Sequence, residues 1–410
     1  MRRRTGQVRA EGALINAWSA VNRAGEFGSW LIGHVTRAPA LLVAAFSLSA
    51  CASNFEDQVE PCTTAADLPV ITADPQGIES FELSVLIYNV EGLPWPARKN
   101  RGPKLEQIGD ELARLRAAGR APDIVMLQEA FTERARAIGE RSGYRNRVAG
   151  PVARDRRTTS GSNIPAAFGK ARRLFKGERS GKVLGSGLLI LSEFPVAATY
   201  HEPFSRHACA GFDCLSNKGV MIARLWVPGV PTPVDLFTTH MNSQEAAGVE
   251  LDRAHAAHAF QTDESAAFLA RVRDNRNPLI FGGDFNMRGA PDRLDHFTYK
   301  KPYHIVRHYC TVVVQDCDVR MSWDGDAPWL DTQDLQGFDD GQLVEVRPIR
   351  VEAMFDRPAN GGKLSDHDGY LVRYRLSWPS GANADEEREI ANARASGEAA
   401  CMPVIGPGRR

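Results

Sequence analysis

The sequence lacks net charge: 50 Lys and Arg stand against 50 Asp and Glu over 410 residues. That balance excludes a uniformly basic surface of the kind built to grip nucleic acid. Aromatic residues are sparse at 8%, and 36 Gly and 24 Pro are near ordinary levels, which excludes collagen-like and low-complexity chains. No apolar run reaches the roughly 20 residues a membrane-crossing helix needs. Cysteine is limited to 7 residues, and no pair has the spacing or His partners of a zinc site. There is no internal repeat. What is present, 43% hydrophobic and 24% charged residues, is the composition of a folded globular protein. The length permits one large domain of roughly 250–300 residues plus appendages, or two medium domains.

Residues 1–37 are Arg-rich and without periodicity, and the apolar stretch Ala38–Ala50 ends at Cys51. The stretch suits a signal-peptide core, and Leu48-Ser49-Ala50-Cys51 resembles the bacterial lipobox, whose Cys is diacylated. The expectation is a leader over 1–50, a tether over 51–80, a folded domain over 81–376 and a tail over 377–410, helical near Asp385–Ser396. Such a protein is exported and held to a bacterial membrane by its lipid, facing periplasm or cell surface, as a monomer. Six further cysteines in an exported chain predict disulfides, with Cys209/Cys214 and Cys310/Cys317 as close pairs and Cys62/Cys401 tying the ends together.

From Phe81 the texture changes. Apolar, β-branched runs predict strands at Leu83–Val90, Ile124–Leu127, Gly219–Val227, Val234–Thr239, Leu279–Phe281 and Gly369–Leu376. Leu188–Leu191 and Val196–Tyr200 read as a hairpin around Ser192–Pro195. Leu105, Ile108, Leu112 and Leu115 fall at helical spacing over Pro103–Ala118, and a long helix is predicted over Val249–Val272. Strands apolar on both faces imply two packed sheets with helices outside, an α/β sandwich.

The informative residues are polar ones at the ends of these runs: Asn89, Gln128-Glu129, His240, Asp284 with Asn286, and Ser365-Asp366-His367 just before the last strand. A carboxylate or imidazole beside a buried strand is costly unless paired or bound to a metal. Singly, each has an ordinary structural explanation, such as a helix start, a turn cap or a satisfied core histidine. Five such placements in one chain point to a shared polar site.

In this order, Tyr88-Asn89-Val90, Leu127-Gln128-Glu129, Thr239-His240, Gly283-Asp284-Phe285-Asn286 and Ser365-Asp366-His367 resemble the endonuclease/exonuclease/phosphatase superfamily over about residues 81–376. The resemblance implies a four-layered α/β sandwich, two mixed sheets flanked by helices, and magnesium-dependent phosphoester hydrolysis, with Mn²⁺ as a possible substitute. It implies Glu129 as principal metal ligand, supported by Asn89. Asp284 and Asn286 would orient water and phosphate, His367 would be the general base, and Asp366 would steady the metal side. The partner fixing the His367 tautomer is Asp334, with Asp331 as the alternative. His240 places the chain in the two-histidine branch, nearest bacterial neutral sphingomyelinases, where this residue would stabilise the phosphorane or protonate the leaving oxygen.

The substrate stays open between a phospholipid headgroup and nucleic acid. Cys214-Leu215-Ser216-Asn217-Lys218-Gly219 resembles the stretch before a central strand in bacterial sphingomyelinases, but no exposed aromatic hairpin accompanies it. Residues 150–184 hold nine basic and two acidic side chains, and 316–345 hold nine acidic and one basic, so net neutrality is a cancellation. The basic stretch reads as a long mobile loop able to follow a phosphate backbone or anionic headgroups, or simply as a solvated surface loop. A non-catalytic surface lipoprotein that binds a partner is a third reading, disfavoured by the complete set of polar strand ends.

Overall fold

The strand Ile78–Asn89 (β1) is buried almost completely along its second half. Phe81, Leu83, Val85 and Ile87 point into one apolar cluster, and Leu86 and Tyr88 into another. The period of two therefore divides a near-continuous apolar run between two layers. The computed structural model describes residues 55–301, 303–314, 317–320, 325, 327–330, 332–357 and 362–403. The leader, Cys51, Trp323 and Asp331 lie outside the described residues.

Ten further strands of at least four residues follow: β2 (Ile124–Gln128), β3 (Asn146–Ala149), β4 (Leu189–Ser192), β5 (Val196–Pro203), β6 (Gly219–Leu225), β7 (Val234–His240), β8 (Leu279–Asp284), β9 (Asp334–Asp339), β10 (Glu345–Met354) and β11 (Gly369–Pro379). A six-stranded sheet runs His304–Ile305, β9, β8, β7, β6, β5. An eight-stranded sheet runs Asp318–Arg320, β10, β11, β1, β2, β4, β3, with Thr72–Ala73 beside β1. Leu83, Val85 and Ile87 meet Met221, Leu236, Ile280 and Phe338 between the sheets. Outside the larger sheet lies helix α1 (Arg101–Ala117), packed through Leu105, Ile108 and Leu112. Outside the smaller lie α2 (Leu251–Val272), through Phe268 and Leu269, and α3 (Pro291–Lys300), through Phe297. Helix, sheet, sheet, helix is the expected four-layered sandwich.

Two glycines set how closely these layers meet. A Cβ at Gly282 would stand 2.6 Å from Ile87 Cγ2 in the opposite sheet, and one at Gly283 would stand 2.1 Å from the Thr239 carbonyl oxygen of the adjacent strand. Without side chains, β8 can carry Asp284 up against β1 and β7 together.

Three expectations change. The Leu188–Tyr200 hairpin does not form: β4 pairs with β2 and β3 in one sheet, and β5 pairs with β6 in the other. Ser192 Oγ donates to the Phe194 carbonyl at 2.7 Å, and the Phe194 ring packs edge-on against Phe81 between the sheets, so the chain crosses the sandwich there. The expected tether lies against the body. Gln58 bridges to Arg147, Leu68 packs with Trp226, Ile390 and Ala393, and Cys62–Thr63 pairs with Ala400–Cys401. Ile390 and Ala393 belong to the predicted C-terminal helix, α4 (Ala384–Ser396). Finally, the basic stretch 150–184 is anchored by ion pairs of buried groups, Arg157 with Glu202 and Arg253 with Glu178. All three predicted disulfides are present.

Candidate active site

Strand register brings the polar ends together. Asp284 is the rung partner of His240 in the parallel β7–β8 pair and of Asp334 in the antiparallel β8–β9 pair. These three residues therefore lie in one row across the smaller sheet. In the larger sheet Asn89 pairs with Gln128, and Glu129 follows immediately. Asn89 Nδ2 donates to Asp284 Oδ2 at 3.0 Å, joining the two sheets through buried side chains. Ser365 Oγ donates to the Asn89 carbonyl at 2.6 Å and so positions the Asp366-His367 segment before β11.

His367 is held tightly. Its Nδ1 lies 2.6 Å from Asp334 Oδ2, and its Nε2 lies 3.8 Å from Asp284 Oδ2. Asp284 Oδ1 accepts from the Asn286 backbone N–H at 3.1 Å and from Gln333 Nε2 at 3.1 Å. Gln333 Nε2 also reaches Asn286 Oδ1 at 2.9 Å. Glu129 and Asn286 both adopt left-handed backbone conformations, at φ 58° and 54°. Asn tolerates this region readily, whereas Glu does so at a cost of about 1–3 kcal/mol. The cost is sustained by tight packing: the Phe131 N–H donates to the Glu129 carbonyl at 2.7 Å, and a Cβ at Gly92 would come within 2.4 Å of that same oxygen.

The charges are strongly perturbed. Burial raises the Glu129 carboxyl, and Asp366 adds to this, against the opposing pull of Lys218, Asn89 and His367. Burial likewise pushes Asp284 up to about 7. Burial pulls His367 down, but Asp334, Asp284 and Asp366 outweigh it and hold the imidazole well above its ordinary value. His240 goes the other way: burial, then Lys218 and His367, hold it well below, so it is neutral near pH 7. The positive charge beside His240 belongs to Lys218. Its Nζ contacts Asp213 Oδ1 at 2.5 Å, the Met241 carbonyl at 2.8 Å and His240 Nε2 at 3.1 Å.

All eight site residues expected from the sequence converge here: Asn89, Glu129, His240, Asp284, Asn286, Asp334, Asp366 and His367. Asp366 is the most exposed, with its side chain half open to solvent and salt-bridged to Arg98 at 3.3 Å. Sequence reasoning passed over Lys218, Asp213 and Gln333. A lysine placed immediately before the apolar run Gly219–Ala223 was the available signal for Lys218, since such a cation needs partners. A cavity of about 360 Å³ lined by Arg288, Asp334, Lys363, Asp366, His367 and Asp368 opens onto the site.

Two donor sets could hold a metal. Ligand atoms of Asp284, Asp334 and His367 lie within 4.8 Å of one another. Within this set, Asp334 Oδ2 engages the His367 Nδ1 and Asp284 accepts from three N–H groups, while Asp334 Oδ1 has no hydrogen-bond partner. Glu129 and Asp366, close enough that Asp366 raises the Glu129 carboxyl, offer hard oxygens beside the Asn89 amide. That set suits a small divalent cation.

Comparison with known proteins gives a family and a fold. A candidate neutral sphingomyelinase of Drosophila melanogaster is 25% identical over 307 residues, covering 73% of this chain and 56% of that protein. The chain thus spans about half the length of this relative. The crystal structure of beta toxin from Staphylococcus aureus superposes with a TM-score of 0.50 at 15% identity, covering 71% of this chain and 99% of the toxin. That likeness is one of fold. Sphingomyelinase C from Streptomyces griseocarneus gives 0.49 at 20% identity, covering 71% and 99%. The profile of the Endonuclease/Exonuclease/phosphatase family matches residues 86–367. The match runs from the strand that ends in Asn89 to His367 itself and covers more than half of the sequence, so the chain belongs to the Endonuclease/Exonuclease/phosphatase family.

Proposed function

We propose that the protein is a metal-dependent phosphodiester hydrolase in which His367 is the general base. The observation that carries this reading is the 2.6 Å contact between His367 Nδ1 and Asp334. A carboxylate there fixes the tautomer that leaves Nε2 free to take a proton, and raises the basicity of the ring that must hold it. Glu129 and Asn89 would hold Mg²⁺ or Mn²⁺, with Asp366 beside them; the bound ion would neutralise phosphate charge and polarise the ester. Asp284 and Asn286, cross-linked by Gln333, present a fixed edge that orients water and phosphate. Lys218, whose three N–H groups are held by Asp213, Met241 and His240, would place a positive charge beside neutral His240, where negative charge collects on the leaving oxygen or the equatorial oxygens.

The favoured substrate is a phospholipid headgroup ester, a sphingomyelinase or phospholipase C-like activity. Similarity to the Drosophila protein supports it. So does export, to which the three disulfides lend weight. Among the described residues no helix is long and apolar enough to cross a membrane, so attachment through Cys51 remains part of this proposal. The basic stretch 150–184 favours a second reading, a deoxyribonuclease-like endonuclease. Purified protein stripped with chelator and resupplied with Mg²⁺ should be assayed in parallel on sphingomyelin vesicles, plasmid DNA and inositol phosphates. Hydrolysis that needs the ion and disappears in Glu129→Gln and His367→Ala is expected. Full activity in either variant overturns the assignment, and cleavage of plasmid alone selects the nuclease.

A further inference from the structure

The basic insertion carries something its composition does not show. Its short helical turn Leu174–Lys176 leaves Leu174 56% and Phe175 91% exposed, and the neighbouring turn Gly211–Leu215 leaves Phe212 47% exposed. The two turns that carry these side chains lie side by side. Lys176 Nζ sits 5.5 Å over the Phe212 ring, and both Phe212 and Lys176 flank Gly248. Folded chains seldom leave several large apolar side chains together in water without a use for them.

The turn is not loosely held. Glu178, fully buried, accepts from the Arg173 backbone N–H at 2.5 Å and the Gly211 backbone N–H at 2.8 Å. Arg253 of α2 adds two further bonds to the same carboxylate, at 2.7 and 2.9 Å. One buried carboxylate therefore ties both turns to a long helix, and Leu174 and Phe175 project from a rigid base. Around them stand Lys170, Arg172, Lys176, Arg179 and Arg206, while the nearby Glu250 is engaged by Arg173 at 2.8 Å. Burial, with the crowding of Arg206, Arg253 and Arg179 against Glu178, holds the Arg172 guanidinium below its usual range, a sign of concentrated positive charge.

We propose that this face docks onto an anionic lipid bilayer, with Leu174, Phe175 and Phe212 entering the acyl boundary and the surrounding Arg and Lys side chains meeting the headgroups. An apolar tip with a basic collar matches the two layers of a membrane interface. Nucleic acid would want rings lining a groove for stacking, and Phe175 instead stands almost wholly in solvent. The surface also adjoins the chemistry, because Asp213, next to Phe212, holds Lys218 against His240. The inference does not depend on which ester is cleaved.

The test is flotation of the full chain with vesicles of phosphatidylcholine alone or mixed with phosphatidylglycerol. A Cys51→Ser background keeps any acyl group out of the measurement. Binding to the anionic vesicles is expected, and Leu174→Ser with Phe175→Ser should weaken it at least about tenfold. Hydrolysis of the soluble diester bis(p-nitrophenyl) phosphate and the melting temperature should stay unchanged, since both residues are exposed. Equal flotation of the variant, no flotation of the parent chain, or a loss of duplex DNA binding in its place would each overturn the proposal. If the parent chain floats but cleaves no diester, the docking surface stands and the hydrolase reading falls.

Discussion

Replacing Asp334 by Asn is the sharpest single perturbation of the site. The variant keeps the shape of the side chain and removes its charge, 2.6 Å from the His367 Nδ1, where both side chains are largely buried. A hydrogen bond to a charged group at such a site contributes about 1.5–3 kcal/mol, and the imidazolium formed during proton abstraction is the species that loses it. Converted to rate, this is roughly a 10- to 150-fold fall in kcat. The loss grows if the Asn amide donates to Nδ1 and traps the tautomer with Nε2 already protonated. KM should change little, because Asp334 acts through His367. Where His367 is neutral, folding should change little, because Asp334 Oδ1 has no hydrogen-bond partner to lose. The pH profile adds a second readout. Asp334 is the largest influence raising His367 against burial, so in the variant the acid limb of kcat/KM should move to lower pH. The same sign governs stability. A histidine raised in the folded state stabilises fully below its unfolded value of about 6.5, and this contribution is lost as pH rises through the folded value; in the variant less of it exists to lose. Initial rates on a soluble diester across pH 5–10, with urea melts at each end, test both claims. A kcat within about threefold of the parent and an unmoved acid limb would falsify the role of Asp334.

Lys218→Met should cut kcat about 10- to 100-fold by removing a positive charge beside the reacting oxygens, and raise the His240 pKa, readable by NMR of the imidazole protons. It should also destabilise by about 2 kcal/mol, because Asp213 loses its cation but keeps the Ser243 N–H and hydroxyl; Lys218→Met with Asp213→Asn should recover stability and not rate. Gly283→Ala drives a methyl into the Thr239 carbonyl oxygen and should cost about 1–3 kcal/mol, with a loss of activity out of proportion to its melting shift because Asp284 and His240 are the next rung. A normal kcat in that variant would show that the row across β7, β8 and β9 is not needed. Cys62→Ser with Cys401→Ser opens a link across 339 residues. In the chain-entropy picture this costs about 2–5 kcal/mol, read as a lower urea midpoint at unchanged kcat.

Why some of this was legible in the sequence and some was not comes down to how each strand is buried. β1, β2, β7 and β8 are covered on both sides, so their runs are apolar throughout and a polar residue at the end stands out. The Leu188–Tyr200 segment misled because β4 and β5 have the lengths and the short connection of a hairpin. Their burial differs, however: β4 is buried at every position, whereas β5 is exposed along its middle as an edge strand. Two strands that share a hairpin rarely differ in this way, and the Phe194 ring buried in the connection is what carries the chain across. The basic stretch 150–184 read as mobile because its composition is that of a loop. Glu178 and Arg157, the residues that fix it, look in sequence like any other charges.

Strand direction explains why Asp334 was the hardest site residue to place. β7 and β8 run in parallel toward the site, and so do β1 and β2, so each offers its last residues: His240, Asp284, Asn89 and the Gln128–Glu129 step. β9 and β11 run antiparallel to β8 and β1, away from the site, so they contribute residues at or before their start. For β11 these are Ser365–His367. For β9 it is Asp334, and β9 does not read as an apolar strand at all. Its interior holds Gln336 and Gly337, opposite Gly282 and Phe281 of β8. Gln336 is fully buried because its amide donates to the Val85 and Tyr370 carbonyls and its oxygen accepts from Tyr374, bridging the sheets at the centre of the sandwich. Gly337 leaves room for the Phe281 ring, which lies 2.0 Å from where its Cβ would be. A polar cross-link and a missing side chain thus erased the pattern that would have marked the strand, and with it the reason to look at its first residue for the carboxylate that holds His367.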